Sequence, residues 1–273
     1  NNKDVVVEQI DLNILSSIYT KEKNIEKFWD WGNDTPWNSE TNFQTEILPY
    51  FKDLWHEYIE ILSTYDIVAF TTYTSNIITT DYIARYVKQI NPKIQIWYGG
   101  PYSWYSECGG LVEKDNYREF VDIACGSNDG ERIISDLVNK YLEDGHYENI
   151  RGIYRWDKMT PSFPTVLPKG RSGRTPVFNG GLLPQNLNEL ETPSWDESVI
   201  NDYRKLAELF DLEVTLPMQT SRGCTFKCTF CSETRLYRYK NNEKIVEEMK
   251  GLEEQTGINN FWFTDSLING SMP

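Results

Sequence analysis

Between residues 66 and 141 short apolar runs alternate with amphipathic helical patterns, and the runs stop at glycine or polar turns. Asp66 to Thr71 reads as a strand apolar on both faces, as parallel strands are. Ile83, Tyr86, Val87 and Ile90 mark a helix closed by Asn91-Pro92. Ile94 to Tyr98 is a strand ending in Gly99-Gly100-Pro101, and Val121 to Cys125 is one ending in Gly126-Ser127-Asn128-Asp129-Gly130-Glu131. Ile133, Ile134, Leu137, Val138 and Tyr141 then share a helix face. The alternation predicts an α/β fold with a doubly wound parallel sheet. Ligands of such sheets sit at the carboxyl ends of the strands. The candidate wall is therefore Thr72 to Asn76, Gly99 to Tyr102 and Gly126 to Glu131, where glycine lets a ligand come close to backbone. Ordinary turns are the plainer reading of any one of these loops.

Upstream, Val5-Val6-Val7 reads as a short buried strand. Phe43, Ile47, Phe51, Leu54, Trp55, Tyr58, Ile59 and Leu62 lie on one helical face, with Pro49 predicting a kink or a restart inside it. Downstream, six of the 12 prolines fall between Pro161 and Pro193, which marks a connector rather than a packed unit. Glu213 to Leu216 reads as a strand, Lys244 to Gln255 as a helix stopped by Gly257, and Phe261-Trp262-Phe263 as a strand ending in Thr264-Asp265-Ser266. The expected domains are 1–158, a connector over 159–210, and 211–273.

The chain has 273 residues, 41 acidic against 27 basic, for a net charge of −14. Such an acidic chain is a poor partner for nucleic acid, because phosphate is repelled overall. Its apolar runs are far too short for a bilayer span of about 20 residues, so no membrane partner is expected. Asn1-Asn2-Lys3-Asp4 begins no secretory signal.

Three of the five cysteines fall within eight residues, in Ser221-Arg222-Gly223-Cys224-Thr225-Phe226-Lys227-Cys228-Thr229-Phe230-Cys231. Clustered thiols, odd in number, point to a reducing compartment such as the cytoplasm and to a metal rather than to disulfides. Three thiolates on one tight loop hold three irons of a cubane cluster and leave the fourth open to a small molecule. Zinc is the alternative, although it usually takes four ligands and the only histidines, His56 and His146, lie elsewhere. Cys108 and Cys125 need no function beyond burial.

The C-x3-C-x-aromatic-C pattern resembles the signature of the radical SAM superfamily. The resemblance implies that Cys224, Cys228 and Cys231 bind a 4Fe–4S cluster, and that S-adenosylmethionine chelates the open iron and is cleaved to a 5′-deoxyadenosyl radical. It places Phe230 near the adenine, and Asp265, Ser266 and Asn269 near the bound methionine. The first half resembles the cobalamin-binding domain that precedes the barrel in one large class of that superfamily. The matching pieces are the strand at Asp66 followed by Tyr73, Thr74, Ser75 and Asn76, then Gly99, Gly100 and Pro101, then Gly126, Ser127, Gly130 and Glu131, together with Leu190-Glu191-Thr192-Pro193-Ser194-Trp195. The resemblance implies cobalamin as a cofactor and methyl transfer to an unactivated carbon or phosphorus centre. A radical cyclisation or rearrangement is the second reaction class, and a noncatalytic corrinoid- or zinc-binding module the reading from another class.

Two departures qualify this. Many cobalamin domains carry Asp-x-His-x-x-Gly, whereas Asp144-Gly145-His146-Tyr147-Glu148-Asn149 ends in Asn and follows the last helix of the domain. His146 is therefore read as a helix-end residue and not as a cobalt ligand. Only 49 residues follow Cys224, enough for about two βα units of the six-unit barrel that the resemblance implies, so turnover is not expected from this chain by itself. A cluster also needs an electron donor. Arg222, Lys227, Arg235, Arg238, Lys240 and Lys244, opposed only by Glu233 and Glu243, suggest a basic collar for an acidic carrier such as flavodoxin or ferredoxin, or simply solvated side chains.

Overall fold

The structure is a computed structural model that describes residues 5–25, 35–104, 117–126, 129–158, 174–180, 184–231, 233 and 235–270. Cys108 and Ser127 lie outside the described residues. The chain divides into two compact units, one made of Asn1–Trp29 with Pro184–Pro273, the other of Asp30–Leu183.

The first unit opens with α1 (Leu12–Glu22), capped by the Asp11 carboxylate, which accepts the N–H groups of Asn13 and Ile14. The strand expected at Val5-Val6-Val7 does not form: among the described residues no strand pairs with it, and Val6 and Val7 are 84% and 73% exposed.

In the second unit a π-turn over Phe43–Ile47 runs into α2 (Leu48–Leu62), with Pro49 in its first turn, where its missing N–H costs no hydrogen bond. The helix therefore restarts at the proline, as its position predicts. Phe43, Ile47, Phe51, Trp55, Ile59 and Leu62 form the buried stripe, with Phe43 and Phe51 stacked on Trp55 at 5.7 and 5.2 Å. The sheet follows: β1 (Ile67–Thr71), α3 (Ile77–Ile90), β2 (Gln95–Gly99), β3 (Ile123–Cys125), α4 (Gly130–Glu143), β4 (Ile153–Lys158) and β5 (Arg174–Phe178). β1, β2 and β3 are parallel, with Thr71 opposite Gly99 and Tyr98 opposite Ala124; β4 and β5 are antiparallel. Trp97, Ile123, Ile133, Leu137, Ile150 and Ile153 are the core beneath α4.

The α/β class holds, but the described sheet is not doubly wound. Its order is β1-β2-β3-β4-β5, with no reversal. β4, at the end of the expected first domain, and β5, within the stretch read as connector, instead extend the sheet antiparallel beyond β3.

The chain then returns to the first unit with α5 (Glu197–Phe210), β6 (Leu216–Met218), β7 (Ser221–Arg222), β8 (Arg238–Tyr239), α6 (Asn242–Thr256) and β9 (Phe261–Phe263). α5 also lies within the stretch read as connector. It packs on α1: Tyr203 OH donates to Asp11 at 3.1 Å, Lys205 meets Glu22 at 2.7 Å, and Lys21 sits over the Phe210 ring. Ile200, Leu216, Leu252 and Ile258 are a second small core. α6 is capped at its start by Asn241 and closed by Gly257 at φ +70°, as its sequence predicts. β6 and β9 are parallel, and Lys240 and Glu248 meet in the interior beside them. No helix among the described residues is long and apolar enough to cross a membrane.

Candidate functional site

The three cysteines stand on the loop of a short hairpin. β7 pairs with β8 through Ser221–Tyr239 and Arg222–Arg238, and the Lys240 N–H donates to the Thr220 carbonyl at 2.8 Å. Residues 223–237 form the loop between these strands. Gly223 begins it at φ +80°, and a Cβ there would lie 2.5 Å from the Leu236 oxygen and 2.6 Å from that of Arg235. Only glycine fits so close to backbone at that φ. Cys224 is half-buried, and Cys228 and Cys231 are exposed. Two sulfurs receive backbone donors: Phe226 N–H to Cys224 Sγ and Glu233 N–H to Cys231 Sγ, both at 3.4 Å. Phe230 is 91% exposed and so does not anchor the loop in the apolar core.

Among the described residues no three His, Cys, Asp or Glu side chains are gathered at metal-binding separations. The donor set itself fits a thiolate-bound cluster: three free thiols on one loop, two of them exposed, and two already accepting N–H···S bonds of the kind that tune iron–sulfur centres.

The residues after β9 reach this loop. Asp265 Oδ1 accepts Thr220 N–H at 2.9 Å, Thr220 Oγ1–H at 3.0 Å, Ser221 N–H, and Ser221 Oγ–H at 2.7 Å. Its other oxygen is buried with no hydrogen-bond partner. Ser266 Oγ donates to Glu233 Oε2 at 2.8 Å. Glu233 is also held by the Arg235 guanidinium and by the Arg235 backbone N–H at 2.9 Å. The Arg235 side chain first, with its backbone N–H and Ser266 in support, holds the Glu233 carboxyl down at about 2. Asn269 is exposed. Sequence reasoning singled out Asp265 and Ser266 but missed Glu233, which served only as a charge opposing the collar.

Most of that collar turns inward. Arg222 bonds Gln219 at 2.7 Å, Arg238 the Gln185 carbonyl at 2.7 Å, Lys240 the buried Glu248, and Lys244 approaches Glu247 at 3.7 Å. Lys227 is exposed on the cysteine loop itself.

In the second unit the parallel register brings the first two candidate loops to one sheet edge. Thr72 N–H and Oγ1–H both donate to the Gly99 carbonyl, at 2.7 and 2.6 Å, and Tyr102 N–H returns to the Thr72 carbonyl at 3.0 Å. Ser103 Oγ lies 2.8 Å from the Gly100 carbonyl and 2.9 Å from that of Cys125, which ties in the third loop. Asn76 accepts Tyr73 N–H and donates to the Thr71 carbonyl, closing its own turn. The fold itself requires two of these glycines. A Cβ on Gly100, at φ +88°, would strike the Thr72 backbone at 2.7–2.8 Å, and one on Gly126 the rings of Tyr154 and Phe178. Gly130 alone of these has open space around it. Tyr73 and Glu131 are exposed. His146 is exposed in the turn after α4, its N–H bonded to Asp144, as its sequence position predicts.

No protein-family model matches the chain. It is 24% identical over 216 residues to an uncharacterized methyltransferase of Pyrococcus horikoshii, covering 74% of this chain and 40% of that protein. It is 23% identical over 210 residues to the anaerobic magnesium-protoporphyrin IX monomethyl ester cyclase of Cereibacter sphaeroides, covering 73% and 30%. Over 59 residues it is 36% identical to the cytidylyl-2-hydroxyethylphosphonate methyltransferase of Streptomyces wedmorensis, covering 20% of the chain and 11% of that protein. The chain thus spans less than half the length of these relatives, and what it is similar to are enzymes named as methyltransferases and cyclases.

Proposed function

We propose that the chain is the corrinoid-binding and cluster-bearing part of a radical SAM enzyme that transfers a methyl group to an unactivated carbon or phosphorus centre. The observation that carries the reading is the cysteine loop: three thiols in eight residues on the loop of a short hairpin, in a chain similar to proteins named as methyltransferases. Cys224, Cys228 and Cys231 hold a 4Fe–4S cluster, which when bound supplies the electron that cleaves S-adenosylmethionine. Phe230 offers an exposed ring to the adenine. Asp265, whose second oxygen is buried without a donor, is suited to an ammonium group, with Ser266 and Asn269 beside it in sequence. Cobalamin lies at the sheet edge formed by Tyr73 to Asn76, Gly99 to Pro101 and Gly126 to Glu131, with the open ground around Gly130 as its approach. Reduction comes from an acidic carrier of the flavodoxin or ferredoxin kind in the cytoplasm, with Lys227 the exposed charge nearest the thiols in sequence. Cyclisation is the second reading, favoured by the similarity to the ester cyclase.

The test is anaerobic reconstitution with iron and sulfide. The chain should turn brown and take up about four of each, as a cubane requires. Cys224→Ala, Cys228→Ala and Cys231→Ala should each lose this, while Cys125→Ala retains it. Stoichiometric zinc without sulfide sinks the cluster. Hydroxocobalamin titration tests the corrinoid separately, an unchanged visible spectrum counting against it.

A further inference from the structure

We infer that Asp265, Ser266 and Leu267 are positioning residues that clasp the cysteine loop on both sides of its thiols. On the near side, Asp265 Oδ1 gathers the N–H and hydroxyl groups of Thr220 and Ser221, the two residues before Arg222 and Gly223. Ser221 Oγ also lies 2.8 Å from the Leu267 carbonyl, its single hydrogen shared between the two acceptors. On the far side, Ser266 Oγ donates to the Glu233 carboxylate, and the Glu233 backbone N–H donates to Cys231 Sγ.

The loop needs such a device. Phe226, Phe230 and Leu236 are 63%, 91% and 67% exposed, so hydrophobic burial does not hold it. Both arms of the clasp run through a carboxyl group, whose oxygens can gather several donors at once. Thr220 and Ser221 are 6% and 1% exposed, which shields the near arm from water. Because both arms leave one three-residue segment, a shift at the end of β9 reaches Gly223 and Cys231 together. None of the three residues carries a thiol, so their action on the thiols is indirect. The consequence for a cluster rests on the reading proposed above; the clasp itself does not.

The experiment is alkylation of the metal-free full chain by iodoacetamide, with rates read for each cysteine by mass spectrometry. Cys125, half-buried in the other unit, is the internal control. Asp265→Ala should speed alkylation of half-buried Cys224 about tenfold with Cys125 unchanged. Asp265→Asn, which keeps an acceptor oxygen, should recover part of that. If Asp265→Ala also speeds Cys125, global unfolding is the cause, and Ser221→Ala and Ser266→Ala then decide through Cys224 and Cys231. After reconstitution, Ser266→Ala should keep its iron yet shift the midpoint potential, and Ser266→Thr should restore it. Wild-type alkylation rates in Asp265→Ala, Ser221→Ala and Ser266→Ala overturn the clasp. Failure of the wild-type chain to take up iron overturns the cluster instead and leaves the alkylation result to judge the clasp.

Discussion

Lys240 Nζ donates to Glu248 Oε2 at 2.6 Å, with the two side chains only 7% and 2% exposed. Glu248 Oε1 is buried with no partner, so the pair is not fully satisfied. Removing one member of a buried pair strands the other charge and costs about 3–5 kcal/mol, whereas replacing both with apolar groups is often near neutral. Lys240→Met or Glu248→Leu alone should therefore destabilise α6 by about that amount, and the double variant should recover most of it. Hydrogen exchange of the α6 amides resolves this from the other unit. Single variants as stable as the wild type would show that the pair does not hold α6 to the strands.

The glycines at the sheet edge separate structure from ligand. Gly100 sits at φ +88° against the Thr72 backbone, so Gly100→Val should disturb the β1 and β2 ends at a cost of about 1–3 kcal/mol whether or not a ligand binds. Gly130 has nothing within 4 Å of a built Cβ, so Gly130→Ala should be neutral or mildly stabilising at the start of α4. Gly130→Phe is the cleaner probe: weaker hydroxocobalamin binding with an unchanged thermal midpoint places the ligand there, and unchanged binding removes it.

The parts of this chain legible in its residues were those where burial and local chemistry agree. The Phe43-to-Leu62 stripe, the restart at Pro49, the strand ends at Gly99 and Cys125, and the Gly257 stop all lie where pattern and cap coincide. Val5-Val6-Val7 has strand propensity but no partner strand among the described residues, and propensity without pairing makes no strand. β4 and β5 were hidden because prolines and glycines dominate their surroundings, and the antiparallel edge tolerates Pro176 where a central strand would not. α5 could have been found, since Val199, Ile200, Tyr203, Ala207 and Phe210 recur at helical spacing. At the site, the cysteines were plain from spacing. The grip of Asp265 on Thr220 and Ser221 spans more than 40 residues and leaves no local signal.

Gly223 is the point at which the hairpin neck turns into the thiol loop. With φ at +80° and the Leu236 and Arg235 oxygens 2.5–2.6 Å from a built Cβ, even alanine must displace backbone. Gly223→Ala should cost about 1–3 kcal/mol locally. Iron retained after reconstitution should fall below that of the wild type, and apo Cys224 should alkylate faster, while the thermal transition of the second unit stays put. Full iron retention would mean that the turn is not what orders the thiols.

Alkaline pH should loosen the second unit through its phenols. Burial first, then neighbouring Tyr86, pushes Tyr82 up to about 12. Burial first, then Tyr141, Asp122 and Asp144, does the same to Tyr147, whose hydroxyl is buried with no partner. Tyr98 and Tyr117 are driven higher still by burial and by the Asp81 carboxylate that both hydroxyls bond. An unfolded tyrosine ionises near about 10, so each raised value means that the fold prefers the neutral phenol. That preference stabilises fully below about pH 10 and is lost as pH rises through about 12. Tyrosinate absorbance should thus lag the unfolded titration and rise together with loss of helical dichroism. Tyr147→Phe should keep neutral-pH stability, since it removes an unpaired hydroxyl, and should shrink the alkaline loss. Tyr82→Phe should cost about 1 kcal/mol at neutral pH, because its hydroxyl meets His56 Nε2 at 2.9 Å. Phenols that all titrate near the free value with the fold intact would show that these rings are open to water.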